Sequence, residues 1–122
     1  MAKAKGGGER VLLVCVLNEP DYLHEVLTAF VEGGVLTSTV IESQGMGRIL
    51  SQDVPIFAGF RNLFAGSKPF NHTLLAVLDD MATAREVTRL VQDVLEEVAE
   101  TSKGILFTVP VSFFSRLNGT DE

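Results

Sequence analysis

The chain has 122 residues, 46% of them apolar and 21% charged, and a net charge of −6 from ten basic and sixteen acidic side chains. That length and composition describe one domain with enough apolar content for a core. The acidic balance excludes nucleic acid as the main partner, because neutralising phosphates requires a basic face.

The longest apolar run, Val11 to Leu17, is far short of the roughly 20 residues that span a bilayer. Met1 to Gly8 has lysines and glycines but no apolar stretch of the signal-peptide kind, so a cytoplasmic protein is expected. Residues 1–9 are expected to form a flexible N-terminal segment, 10–112 a single domain and 113–122 a tail. The single cysteine, Cys15, excludes an intramolecular disulfide, and its place within the apolar run predicts a buried, inert thiol.

Arg10 to Leu17, a continuous aliphatic run, reads as a strand covered on both faces and central in its sheet. Asn18-Glu19-Pro20-Asp21 has the make-up of a helix start, with Asn18 as cap and proline in the first turn. Leu23, Val26, Leu27, Phe30 and Val31 then form one apolar stripe, and Gly33-Gly34 ends the helix. Val35 to Glu42 reads as a second strand and Asn71 to Leu78 as a third. Asp79 or Thr83 is expected to cap a second helix, whose inner face carries Val87, Leu90, Val91, Val94, Leu95 and Val98. Gly104 to Val109 is the fourth strand, and Pro110 after it suits a sheet edge.

The order is strand, helix, strand, strand, helix, strand. It predicts an α+β, ferredoxin-like βαββαβ sandwich: a four-stranded antiparallel sheet with two helices on one face. Between strands 2 and 3 lies a long segment, Ser43 to Phe70, expected to hold no regular element beyond a short amphipathic turn near 56–64. Its Arg48, Arg61 and Lys68 against Asp53 make it locally basic in an acidic protein. Function is expected there.

Helix 1, the Gly-Gly stop, the second strand and the following Gly45-Met46-Gly47-Arg48 resemble the PII signal-transduction family, in a divergent form. In that family a Gly-aromatic-Gly-Arg turn opens a long mobile loop; here Met46 takes the place of the aromatic residue. The resemblance covers roughly Val11 to Val109. It implies a cytoplasmic homotrimer in nitrogen regulation, with effector sites in clefts between subunits. The effectors would be ATP, ADP or AMP, and the loop would carry their signal to a target protein.

Several positions depart from the family pattern. Ile49 stands where the family has a glutamine that helps hold magnesium and 2-oxoglutarate, so the 2-oxoglutarate response is expected to be lost or weak. The loop tyrosine used for covalent modification is missing, since the one tyrosine, Tyr22, belongs to helix 1. The glycine-rich loop before the last strand is cut down to Ser102-Lys103-Gly104-Ile105, and Pro110 to Phe114 replaces the arginine-rich C-terminal loop.

The candidate ligand-binding set is Gly45, Gly47, Arg48, Lys103 and Gly104. Glycines let backbone N–H groups approach an anion, and Arg48 brings a planar two-pronged donor. The plain alternative is a turn that ends a strand, and for Lys103-Gly104 a chain reversal after a helix. Phe57, Phe60, Arg61 and Phe64 form a candidate partner-binding loop; the same phenylalanines would equally pack on the protein's own body.

No catalytic pair stands out among one cysteine, two histidines and one tyrosine, so no enzymatic activity is expected. His24 and His72 have no ligand partners at metal spacing, and Asp79-Asp80 reads as a helix cap, so no metal site is expected. An RNA-recognition domain would need stacking aromatics on strands 1 and 3, which have none. An acylphosphatase would need a phosphate-binding arginine after strand 1, where this chain is acidic. A ligand-free structural trimer of the same fold remains the alternative to a sensor.

Overall fold

A computed structural model of the protein describes residues 9–53, 70–99 and 103–118, with the side chains at 48 and 51–53 outside that description. β1 (Val11–Leu17) is an inner strand, paired antiparallel to β3 (Asn71–Leu78) on one side and to β4 (Gly104–Pro110) on the other. β2 (Thr39–Ser43) pairs antiparallel to β3, giving the order β2-β3-β1-β4. The expected four-stranded antiparallel sheet is therefore observed, with Pro110 on an edge strand where its missing N–H is not needed.

The expected first helix divides into a 3-10 turn, Pro20–Tyr22, and α1 (Leu23–Glu32). Asn18 does not cap it. Its carboxamide instead accepts from Asn71 Nδ2 at 3.2 Å across the sheet end. At the far end, Val35 N–H donates to Phe30 O and Gly34 N–H to Val31 O, with Gly34 at φ +97°. This left-handed closure turns Val35 into the core and delays the second strand. β2 thus begins at Thr39, later than its β-branched run predicts, because the ladder starts only where Thr39 meets Leu75.

The second expected helix is α3 (Met81–Val94), followed by a 3-10 turn at Leu95–Glu97. Its cap is Asp80, not Asp79 or Thr83: the carboxylate accepts from the Thr83 N–H and hydroxyl, each at 2.9 Å. Thr83 is the donor of that cap, and Asp79 instead faces Arg10 at 3.6 Å. Val87, Val91, Leu95 and Val98 are buried and Leu90 and Val94 pack against them, as the stripe predicts.

α1 and α3 lie side by side on one face of the sheet, over Val11, Leu13, Cys15 and Leu17 of β1 and Leu74, Ala76 and Leu78 of β3. Gly33 allows that approach, since a Cβ there would stand 2.6 Å from Val87 Cγ2. After β4, Val111 N–H adds one more bond to Arg10 O. The Arg10 guanidinium stacks 4.4 Å from the Phe114 ring centre and Arg116 lies at 5.2 Å, pinning the start of the tail.

One regular element was not expected. Residues Met46–Asp53 form α2, an eight-residue helix directly after β2, within the segment that the sequence reads as irregular. Gly47 in its first turn lowers its intrinsic propensity by about 1 kcal/mol, which helps to hide it from composition. Met46, Ile49 and Leu50 nevertheless have helical spacing. The expected turn at 56–64 lies outside the described residues.

Two outcomes test this packing. Gly104 sits at φ +145° with room for no side chain, because a Cβ would come within 2.1 Å of Val16 O. Gly104→Ala is expected to lose about 1–3 kcal/mol from backbone conformation alone, and more from the collision, read as a lower urea midpoint. The Thr83 N–H and hydroxyl together hold the Asp80 carboxyl below the usual carboxylate range. Its contribution is present above the unfolded value near 3.9 and is lost as pH falls through the folded one. Asp80→Ala should therefore lower the melting temperature at neutral pH, and the gap to wild type should close as pH drops below about 4.

Candidate functional site

Antiparallel pairing brings the end of β2, the start of β3, the end of β1 and the start of β4 to one end of the sheet. A hydrogen-bonded row crosses that end. Asn18 N–H donates to Lys103 O at 2.9 Å, joining β1 to β4. Asn71 Nδ2 donates to Asn18 Oδ1, joining β3 to β1. The Ser43 hydroxyl donates to Asn71 Oδ1, joining β2 to β3, and lies 2.9 Å from Thr73 Oγ1. Ser43 has only one proton, so Thr73 is the donor in the last pair.

Gly45 and the first turn of α2 follow Ser43 at this same end. Ile49 N–H donates to Gly45 O at 3.3 Å and closes the first helical turn. The N–H groups of Met46, Gly47 and Arg48 therefore precede the helix's own acceptors and carry its positive partial charge. Gly45 has no positive φ, and an added Cβ would find nothing nearer than Asn71 Nδ2 at 3.9 Å. Nothing in the local packing requires a glycine there. Gly104 differs: its backbone conformation and the neighbouring Val16 carbonyl account for the residue fully.

The five candidate ligand residues thus share one end of the sheet but fall into two groups. Gly45, Gly47 and Arg48 follow β2, whereas Lys103 and Gly104 begin β4 at the opposite edge. Three strand spacings separate the two edges, about 14 Å. Lys103 and Gly104 also line a cleft of about 650 Å³ between α3 and β4, into which Cys15 faces. Burial pushes the Cys15 thiol up to about 11, so the buried, inert cysteine read from the sequence matches its surroundings. Phe57, Phe60, Arg61 and Phe64 lie outside the described residues.

Two features escape sequence reasoning. The Ser43–Asn71–Asn18 row joins residues 28 and 53 positions apart, and only the strand register aligns them. His72 Nδ1 is buried without a hydrogen-bond partner among the described residues, at a position opposite both Leu17 and Glu42 in the ladders. No group of three metal-ligating side chains forms among the described residues, and no described helix is long and apolar enough to cross a membrane.

The sheet face away from the helices is the other prominent surface. Leu12 lies opposite Val77 and Val109, and Val14 opposite Leu75 and Phe107, all on this uncovered side. Ile105, Phe107, Val77 and Val109 are 62, 45, 44 and 42% exposed, so a strip of large apolar side chains meets solvent in the single chain.

No protein-family model matches this chain, and no curated protein matches it by sequence. A solved structure of PII from Arabidopsis thaliana bound to citrate does match, with a TM-score of 0.65 and 15% identity, over 92% of this chain and 86% of that one. At that identity the likeness establishes architecture and nothing finer. The sandwich described above thus has a PII-like fold, carried by a widely diverged sequence.

Proposed function

We propose that this protein is a PII-like regulator: a homotrimer that binds a small anionic effector, an adenine nucleotide, in clefts between subunits. The 43–70 segment then carries the signal to a protein partner. The observation behind this reading is the incomplete site of the single chain. One chain holds an anion-attracting helix start at one sheet edge and a cation at the other, too far apart for one small ligand to join. A neighbouring subunit's Lys103 beside this chain's α2 would complete the site.

The exposed apolar strip supports the assembly. A soluble acidic domain does not ordinarily leave a whole sheet face of Val, Leu, Ile and Phe to water, and burial against copies of itself is the simplest cover. Citrate on the Arabidopsis protein is a compact polyanion, the charge type that the α2 start attracts. In this reading the N–H groups of Met46, Gly47 and Arg48 and the Arg48 guanidinium hold effector oxygens, while Lys103 adds the second positive charge. The Ser43–Asn71–Asn18 row ties the β2 end to β4, so a shift of α2 is felt across the sheet end. Ile49 cannot ligate a metal, which removes a magnesium-held 2-oxoglutarate from the scheme. The role in nitrogen regulation belongs to the same proposal.

Calorimetric titration with ATP, ADP and AMP tests the ligand, with and without magnesium and 2-oxoglutarate. Micromolar binding that 2-oxoglutarate does not alter is the expected result. Arg48→Ala should weaken it roughly 10–100-fold, the worth of charge-assisted hydrogen bonds, while leaving the trimer intact; unaltered affinity would remove Arg48 from the site. Light scattering tests the assembly. The wild type is expected as a trimer and Phe107→Asp as a folded monomer, whereas a monomeric wild type would overturn the intersubunit site.

A further inference from the structure

The cleft between α3 and β4 has a chemistry of its own. Cys15, Leu17 and Val91 make its floor, all at most 4% exposed, with half-buried Leu106 beside them. Its rim is polar and carries both signs of charge: Gln92 and Glu96 on the helix side, Lys103 on the strand side. Among the described residues none of these three side chains has a hydrogen-bond or ion-pair partner, whereas Asp93, also on the rim, is held by Arg89 at 3.4 Å. The volume, about 650 Å³, lies within the range of small-molecule sites, and an apolar floor under a few polar groups is their usual design.

The charges select the ligand class. One unpaired carboxylate stands against one ammonium, too little positive charge to hold a polyphosphate, so this space does not suit the nucleotide proposed above. A neutral apolar molecule would leave Glu96 and Lys103 without partners. A molecule with one ammonium, one carboxylate and a hydrocarbon body satisfies all of the walls together.

From this we infer a second ligand site, within one subunit, that binds a zwitterion of the α-amino-acid type with an aliphatic side chain. The carboxylate meets Lys103, the ammonium meets Glu96, Gln92 hydrogen-bonds at the rim, and the side chain rests on Leu17, Val91 and Leu106 above Cys15. The inference does not depend on the intersubunit effector site. Lys103 is the one residue common to both, so the discriminating variants lie elsewhere.

The probes are L-leucine, L-leucinamide, which lacks the carboxylate, and 4-methylpentanoate, which lacks the ammonium. Each is titrated by calorimetry into the full chain, and the slow reaction of Cys15 with a thiol reagent is followed in parallel. Leucine is expected to bind once per chain, about tenfold or more tighter than either analogue, and to slow Cys15 modification. Glu96→Gln, at an exposed position that leaves the fold intact, should reduce leucine to the level of 4-methylpentanoate without changing the latter. Arg48→Ala should leave leucine binding unchanged even where it removes nucleotide binding. Absence of leucine binding at millimolar concentration, equal binding of the three probes, or a Glu96→Gln variant that binds leucine as wild type does would each overturn the site.

Discussion

The close approach of α1 and α3 governs the rest of the molecule. Gly33 lies against Val87 with no space for a side chain, so the two helices sit together over the central strands rather than spreading across the sheet. That arrangement buries β1 and β3 well on one face. It also leaves the edges thinly covered. β2 has exposed residues on both faces, Val40 and Ile41 among them, and on the β4 side a cleft opens beneath α3. The opposite sheet face receives no cover from the described elements, although it carries large apolar side chains such as Val77, Ile105 and Phe107. Helix packing thus creates both the core and the apolar surfaces left exposed.

The sheet end shows how alike residues come to have unlike roles. Gly104 and Gly45 both flank strands at this end and both entered the candidate site by composition. Gly104 is demanded by its own backbone angle and by the Val16 carbonyl, so the fold alone explains it. Gly45 has ordinary backbone geometry and open space around it, at the mouth of a helix whose first N–H groups are unpaired within the helix. A glycine that the architecture does not require is the better candidate for contact with something outside the chain. The two belong to different edges of the sheet, so a single chain does not bring them together.

Much of the architecture was legible from local pattern. Val11 to Leu17 is the inner strand expected, though only alternate residues of it are buried; the α3 stripe at three-and-four spacing packs inward as expected, and so does the α1 stripe ending at Gly33-Gly34 except for Val31, which is 54% exposed. Where expectation and structure part, a long-range or short-range bond had overruled a local preference. Asn18 has a good capping side chain but gives it to Asn71, 53 residues away. Val35 is β-branched but is drawn into the core by the closure of α1. Met46–Asp53 is helical despite Gly47 in its first turn, its apolar spacing too short to reveal it by inspection.

By itself, then, the sequence determined the kind and order of the main strands and of the two long helices, and the acidic, single-cysteine character that rules out an intramolecular disulfide. Those properties depend on spacing within a few turns or on composition, both local quantities. The strand register decided the rest: that Ser43, Asn71, Asn18 and Lys103 align in one row, that Gly45 and Lys103 stand at opposite edges, and that Phe107 and Val77 share an uncovered face. Register is a relation between segments tens of residues apart, set by which faces can be buried together. No window of sequence contains it.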